Sequence, residues 1–182
     1  MKHILVVVDM QTDFVDGALG TPEAVAILEA VTAKIKTYAA DPEGVIFVTY
    51  DTHAENYMNT SEGKHLPVPH CIKGTAGWEL HPTVTAALAG VAYTPVEKPT
   101  FGSVDLPTLV GQAANGEDFS VELIGLCTDI CVVSNTLLLK AHYPEAPISV
   151  DASCCVGVTP ESHEAALTTM KMCQIDVRNA RI

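Results

Sequence analysis

The sequence is poor in what would take it to a membrane or a nucleic acid. No run reaches the ~18 consecutive apolar residues that a membrane span needs. Basic residues are few: 10 Lys and Arg stand against 22 Asp and Glu, a formal charge of −12, which opposes binding to a phosphate backbone or an anionic lipid surface. Aromatic residues make up only 5%, with a single Trp, Trp78, expected in the core. The N-terminal MKHILVVVDM leads into an acidic loop, not a small-residue cleavage site, so it is expected to be a strand and not a signal peptide. The chain is then expected in the cytoplasm, where thiols stay reduced and disulfides are disfavoured. Repeats, low-complexity tracts and linkers are absent, so residues 1–182 are expected to form one domain.

What is there is core material: 48% hydrophobic residues and a mean hydropathy of +0.24. It comes in alternating periodicities. HILVVVDM (3–10) is a β-branched run suited to a strand buried on both faces. Residues 22–40 place Val25, Leu28, Val31, Ile35 and Tyr38 at helical spacing behind Pro22. Further strands are expected at 45–53, 92–99, 119–126, 147–157 and 175–180, and helices at 81–90, 104–116, 128–143 and 159–174. The last helix opens on Thr159 as N-cap and Pro160 at the first helical position. Residues 54–79 carry little periodicity and read as a long loop, of the kind usually kept for function. This alternation predicts an α/β fold: a three-layer αβα sandwich around a six-stranded, mostly parallel sheet.

Ligands of such folds bind beyond the carboxyl ends of the strands. The polar residues there are Asp9, Asp51, His53, Lys98 and the segment Cys127–Cys131. Each has a structural reading alone: Asp9 as a turn cap, Lys98 as a solvated charge, Cys131 as a small core residue. Together they form a set, because charges at the ends of buried strands are costly unless paired. Cys131, in the first turn of the expected 128–143 helix, is placed where the helix dipole favours a thiolate. Asp9 can take the thiol proton, Lys98 can hold both anions, and the N–H groups of Cys127 and Cys131 can receive an oxyanion. The chemistry this suits is acyl transfer through a thioester.

Other uses of the cysteines fit less well. The Cys127/Cys131 pair lacks a second pair to complete a zinc site, and the adjacent Cys154 and Cys155 point to opposite faces of a strand. Cys71, Cys154, Cys155 and Cys173 are expected to pack. In the loop, Asp51 and His53 share a face, and Glu62, His65 and His70 follow. Such a mixed N/O set suits zinc, manganese or iron(II).

Three segments carry a family resemblance: DMQTDF (9–14), EKPTFGS (97–103) and GLCTDICV (125–132). In motif order and strand placement the chain resembles the isochorismatase-like cysteine hydrolase superfamily, and within it the nicotinamidases (pyrazinamidases). The resemblance implies Cys131 as nucleophile, Asp9 as general base and then acid, Lys98 as third member, and an oxyanion hole at Cys127 and Cys131 behind a cis peptide between Leu126 and Cys127. It implies a divalent metal, zinc foremost and manganese or iron as alternatives, on Asp51, His53 and His70 with Glu62 as fourth ligand. It implies that the metal meets the ring nitrogen of nicotinamide. Phe14 keeps an aromatic that flanks the ring, Leu66 stands where some relatives have an aromatic wall, and Phe101 replaces a Tyr. The expectation is an amidase acting on a small-molecule amide, releasing ammonia from nicotinamide, and a homo-oligomer as relatives often are. The rivals are a metal-independent family member acting on a carbamoyl or ureido amide, and a non-catalytic binding or redox protein.

Overall fold

A computed structural model describes residues 1–180. The strands are β1 (Lys2–Val8), β2 (Gly44–Asp51), β3 (Thr94–Lys98), β4 (Phe119–Leu126), β5 (Ile148–Val156) and β6 (Asp176–Arg178). They form one sheet in the order β3-β2-β1-β4-β5-β6, and every pairing is parallel, where a mostly parallel sheet was expected. The helices are α1 (Thr12–Val15), α2 (Pro22–Ala26), α3 (Leu28–Ala40), α4 (Ser61–His65), α5 (Pro82–Leu88), α6 (Leu106–Ala114), α7 (Val133–His142) and α8 (Pro160–Met172). No helix among the described residues is long and apolar enough to cross a membrane.

The β-branched run of β1 is central because both its faces are buried. Ile4, Val6 and Val8 pack with Val110, Leu139 and Leu167 from α6, α7 and α8. Leu5 and Val7 pack on the other side with Val31, Ile35 and Val84 from α3 and α5. Each such side chain contributes about 1.5–3 kcal/mol on burial. From β1 the chain builds outward through β2 and β3, then returns to lay β4, β5 and β6 on the other side. That reversal opens a crevice at the carboxyl ends of β1 and β4.

Several boundaries differ from expectation. The helix expected over 22–40 breaks at Ile27 into α2 and α3, which leaves Val25 44% exposed instead of inside. The loop over 54–79 contains a 3-10 turn at Tyr57–Asn59 and the short α4. The helix expected from 128 begins with a π-turn, Thr128–Val132, before α7. β1 ends before Asp9, β2 before His53, and α1 is an element that periodicity missed. Cys173 is exposed, not packed, whereas Cys154 and Cys155 do fall on opposite faces. Thr159 caps α8 as expected, in a reciprocal capping box with Ser162.

Gly125, just before the crevice, has φ +118°, and a Cβ there would stand 2.1 Å from the Val8 carbonyl oxygen. β4 can lie this close to β1 only without a side chain at that point. Gly116 also has a positive φ, +81°, but open space around it. Gly116→Ala should therefore cost only the left-handed penalty of about 1–2 kcal/mol. Gly125→Ala should add an overpacking cost of about 1–3 kcal/mol. Denaturant midpoints of the two variants measure the difference, and equal losses would refute the close-approach account.

Candidate active site and metal centre

Asp9 is the first residue past β1, and its backbone turns left-handed there, with φ 49°, a strain typical of functional positions. The turn sets its carboxylate beside β2, where the Thr49 hydroxyl donates to Oδ1 at 2.6 Å and accepts the Asp9 N–H at 3.2 Å. Lys98 closes β3. Its Nζ lies 2.7 Å from Asp9 Oδ2, 3.2 Å from Asp51 Oδ1 and 3.5 Å from Cys131 Sγ, and donates to the Thr100 carbonyl at 3.1 Å. All three of Asp9, Lys98 and Cys131 are buried, at 0%, 1% and 5% exposure. Strand ends and the turn after β4 thus bring the acid, the amine and the sulfur together.

Burial dominates the electrostatics. It pushes the Cys131 thiol well above its ordinary value; the Asp9 charge adds to this, and Lys98 offsets only part. Burial also raises the Asp9 carboxyl despite the pull of Lys98. For Lys98 burial works the other way, but the charges of Asp9, Cys131 and Asp51 prevail and raise its pKa. Burial thus favours the protonated thiol at Cys131, and the surrounding charges favour the ammonium at Lys98. Cys131 was expected in the first turn of an α-helix, whose dipole favours a thiolate; it sits in a π-turn instead, and burial raises its thiol. Burial likewise pushes the Cys127 thiol up to about 12.

The π-turn also shapes the backbone around the sulfur. The Cys127 carbonyl accepts N–H bonds from Ile130 at 3.1 Å and Val132 at 3.0 Å, passing over the Cys131 N–H between them. The Leu126–Cys127 peptide is cis, as the resemblance implied.

Some ångströms along the same crevice stands a second cluster. Asp51, His53, Glu62 and His70 each offer one donor atom, all within 4.8 Å of one another. His53 Nε2 is 3.0 Å from Asp51 Oδ2 and 3.6 Å from Glu62 Oε1; His70 Nε2 is 3.5 Å and 3.6 Å from the same two atoms. His70 Nδ1 bonds the Val68 carbonyl at 2.8 Å. That carbonyl only accepts, so Nδ1 carries a hydrogen and Nε2 faces the cluster. Burial would raise the Asp51 carboxyl, but hydrogen bonds from His53 and His70 and the Lys98 charge hold it well below the usual range. Burial raises the Glu62 carboxyl, and the Asp51 charge adds to the effect. Two acids and two imidazoles converging in a buried place are a donor set that suits a divalent cation. His65 is exposed and bonds the Ser61 carbonyl, away from this group.

Both groups border a cavity of about 350 Å³, lined by Phe14, Leu66 and Phe101 together with Asp51, Glu62, His70, Cys127 and Cys131. The three expected wall residues are all there, with Leu66 and Phe101 at the mouth, 38% and 42% exposed. Phe14 packs on the His70 ring at 5.3 Å between centroids. Trp78 stays outside, against Tyr50.

Sequence reading missed four supporting residues. Gln11 grips the Asp51 backbone from both sides, with Nε2 donating to its carbonyl and Oε1 accepting its N–H, both at 2.8 Å. Asp13 Oδ2 accepts the Cys71 N–H at 2.8 Å and so pins the loop that carries His70. Tyr57 packs against both His53 and His70, at 4.7 and 5.0 Å between centroids. Thr49 orients Asp9. Gln11 and Asp13 lie inside the quoted DMQTDF motif, and their spacing was the available signal; Tyr57 and Thr49 had none.

Comparison with known proteins follows the same geometry. The nicotinamidase/pyrazinamidase of Mycobacterium tuberculosis (strain ATCC 25618 / H37Rv) is 29% identical over 185 residues, covering 95% of this chain and 96% of that protein. A crystal structure of nicotinamidase/pyrazinamidase from Bacillus subtilis superposes with a TM-score of 0.84 at 25% identity, covering 98% of this chain and 100% of that one. The pyrazinamidase of Pyrococcus horikoshii, solved in complex with zinc, gives 0.76 at 27% identity over 97% of this chain and 98% of that one. The isochorismatase domain pattern matches residues 3–181, and the chain belongs to that family.

Proposed function

We propose that the protein is an amidohydrolase that converts nicotinamide to nicotinate and ammonia through a thioester on Cys131. The observation that carries this reading is one cavity lined both by Cys131, the sulfur of the buried Asp9–Lys98–Cys131 trio, and by Asp51, Glu62 and His70 of the donor cluster. The similarity to nicotinamidases along nearly the full chain supports it.

The resting thiol is protonated, so the base must act as the substrate arrives. Asp9 takes the thiol proton, and its burial-raised pKa makes it a better base than an ordinary carboxylate. The Lys98 ammonium, 3.5 Å from the sulfur, offsets the charge that forms there. Cys131 Sγ attacks the carboxamide carbon, and the oxyanion rests on the N–H groups of Cys127 and Cys131. The tetrahedral adduct collapses, Asp9 returns the proton to the leaving nitrogen, and ammonia departs. Asp9 then takes a proton from water as it attacks the thioester carbon; collapse expels the sulfur, Asp9 returns the proton to it, and nicotinate leaves. Asp51, His53, Glu62 and His70 would hold a divalent metal, zinc foremost; bound there, it supplies a Lewis-acid anchor for the pyridine nitrogen. Phe14, Leu66 and Phe101 hold the ring between the two ends, which fixes the carboxamide at the sulfur.

Cys131→Ala should fold, keep its metal content and lose at least about 10⁴-fold in ammonia release from nicotinamide. Turnover near that of the parent would refute the nucleophile assignment.

Chelation, or His70→Ala, should lower kcat/KM for nicotinamide at least about 10–100-fold. Restored zinc should rescue the chelated protein but not the variant. Full activity after chelation, with ammonia released from carbamoyl or ureido amides instead, would favour the metal-independent sister enzyme.

The acid limb of kcat/KM should lie above pH 3.8, because the Asp9 carboxyl is raised from that value. Activity needs the carboxylate, so it is present above the limb and lost as pH falls through it. Lys98→Met removes the charge that holds the Asp9 pKa down and should move the limb of the residual activity to higher pH. A limb that stays put or moves down would refute Asp9 as the base.

A further inference from the structure

We infer that Asp129 is a positioning residue, which ties the turn carrying the nucleophile and oxyanion donors to the adjoining wall of the cavity at residues 156–158. The inference rests on the amidase reading above for its kinetic consequence, and on geometry for the tie itself.

Asp129 is two residues before Cys131, in the π-turn, but its carboxylate points away from the trio. Its two oxygens share the Val158 N–H, at 3.2 and 3.1 Å. Oδ2 also accepts the Ser162 hydroxyl in a short hydrogen bond. Ser162 belongs to the capping box of α8, its hydroxyl meeting the Thr159 N–H at 3.1 Å. One carboxylate thus holds the start of a 13-residue helix and the strand-to-helix link before it. Beside it a second bond runs the same way: His163 Nδ1 and Thr128 Oγ1 are 2.8 Å apart, with Thr128 wholly buried. Consecutive residues of the turn, 128 and 129, are therefore each anchored to α8.

What is tied together matters for the cavity. Cys127, Ile130 and Cys131 line one side of it, and Val156, Gly157 and Val158 line another. The Asp129 bonds fix the distance between these two walls. They also fix the rotation of the turn whose N–H groups must meet the oxyanion. Displacing such donors by about 1 Å can cost on the order of 10²-fold in rate. Asp129 touches neither the sulfur nor the metal cluster, so ring binding at the far end does not depend on it.

Three variants and two readouts test this. Asp129→Ala should lower kcat for nicotinamide about 100-fold while KM stays within about threefold. Asp129→Asn keeps one acceptor oxygen for Val158 and should recover most of the loss; Ser162→Ala leaves the Val158 bonds and should fall between parent and Asp129→Ala. Amide hydrogen exchange reads the tie without substrate: in Asp129→Ala it should rise in segments 125–133 and 156–163 and not in β1. A kcat near that of the parent, or exchange unchanged in both segments, overturns the inference. So does a loss of kcat accompanied by faster exchange throughout β1, which would make the residue merely structural. If the parent protein itself releases no ammonia from nicotinamide, the functional reading fails, and the exchange pattern alone decides for or against the tie.

Discussion

The Lys98 ammonium is the interaction on which the rest of the site depends. Taking one ammonium and one carboxylate out of water costs several kcal/mol for each ion, and only close, opposed charge repays it. Here a single cation serves two carboxylates and a sulfur at 2.7, 3.2 and 3.5 Å. Asp9 belongs to the buried trio with Cys131 and Asp51 to the donor cluster, so the two groups share one counter-charge. Neither group can be rebuilt without altering the field in the other.

The fold makes that sharing possible. β1 lies in the middle of the sheet with β2 and β4 as neighbours, so residues leaving the carboxyl ends of adjacent strands are within a side chain's reach. Asp9, Asp51 and Lys98 leave β1, β2 and β3, which are consecutive in the sheet, and Cys131 follows β4. Gln11 then fastens the start of the donor loop to the residues after β1 by its bonds to the Asp51 backbone. The close approach of β4 to β1 at Gly125 sets the last partner in place.

Much of this was legible in the residues. A parallel strand buried on both faces is a continuous apolar run, which is why Phe119–Leu126 was read to the residue. Polar residues that interrupt such runs at their ends stand out, and Asp9, Asp51, Lys98 and Cys131 were found that way. The rest needed the third dimension. Val25 fits the helical rhythm of α3, yet the chain bends at Ile27 and turns it outward. The π-turn is a matter of backbone pairing, which side-chain periodicity does not record. The burial of Cys131 comes from segments distant in sequence, which a local argument from the helix dipole does not record. Asp129 sits inside a quoted motif, but its partners lie some thirty positions later, and nothing local joins them.

The state of the resting sulfur has a consequence for how the protein endures. Peroxides and other soft electrophiles attack thiolates far faster than thiols. A cysteine that is 5% exposed and kept protonated by its surroundings offers them little to react with. On the amidase reading proposed above, its nucleophilicity arises only when an amide occupies the cavity and Asp9 removes the proton. The same desolvation that raises the thiol therefore also limits what oxidants meet at this sulfur.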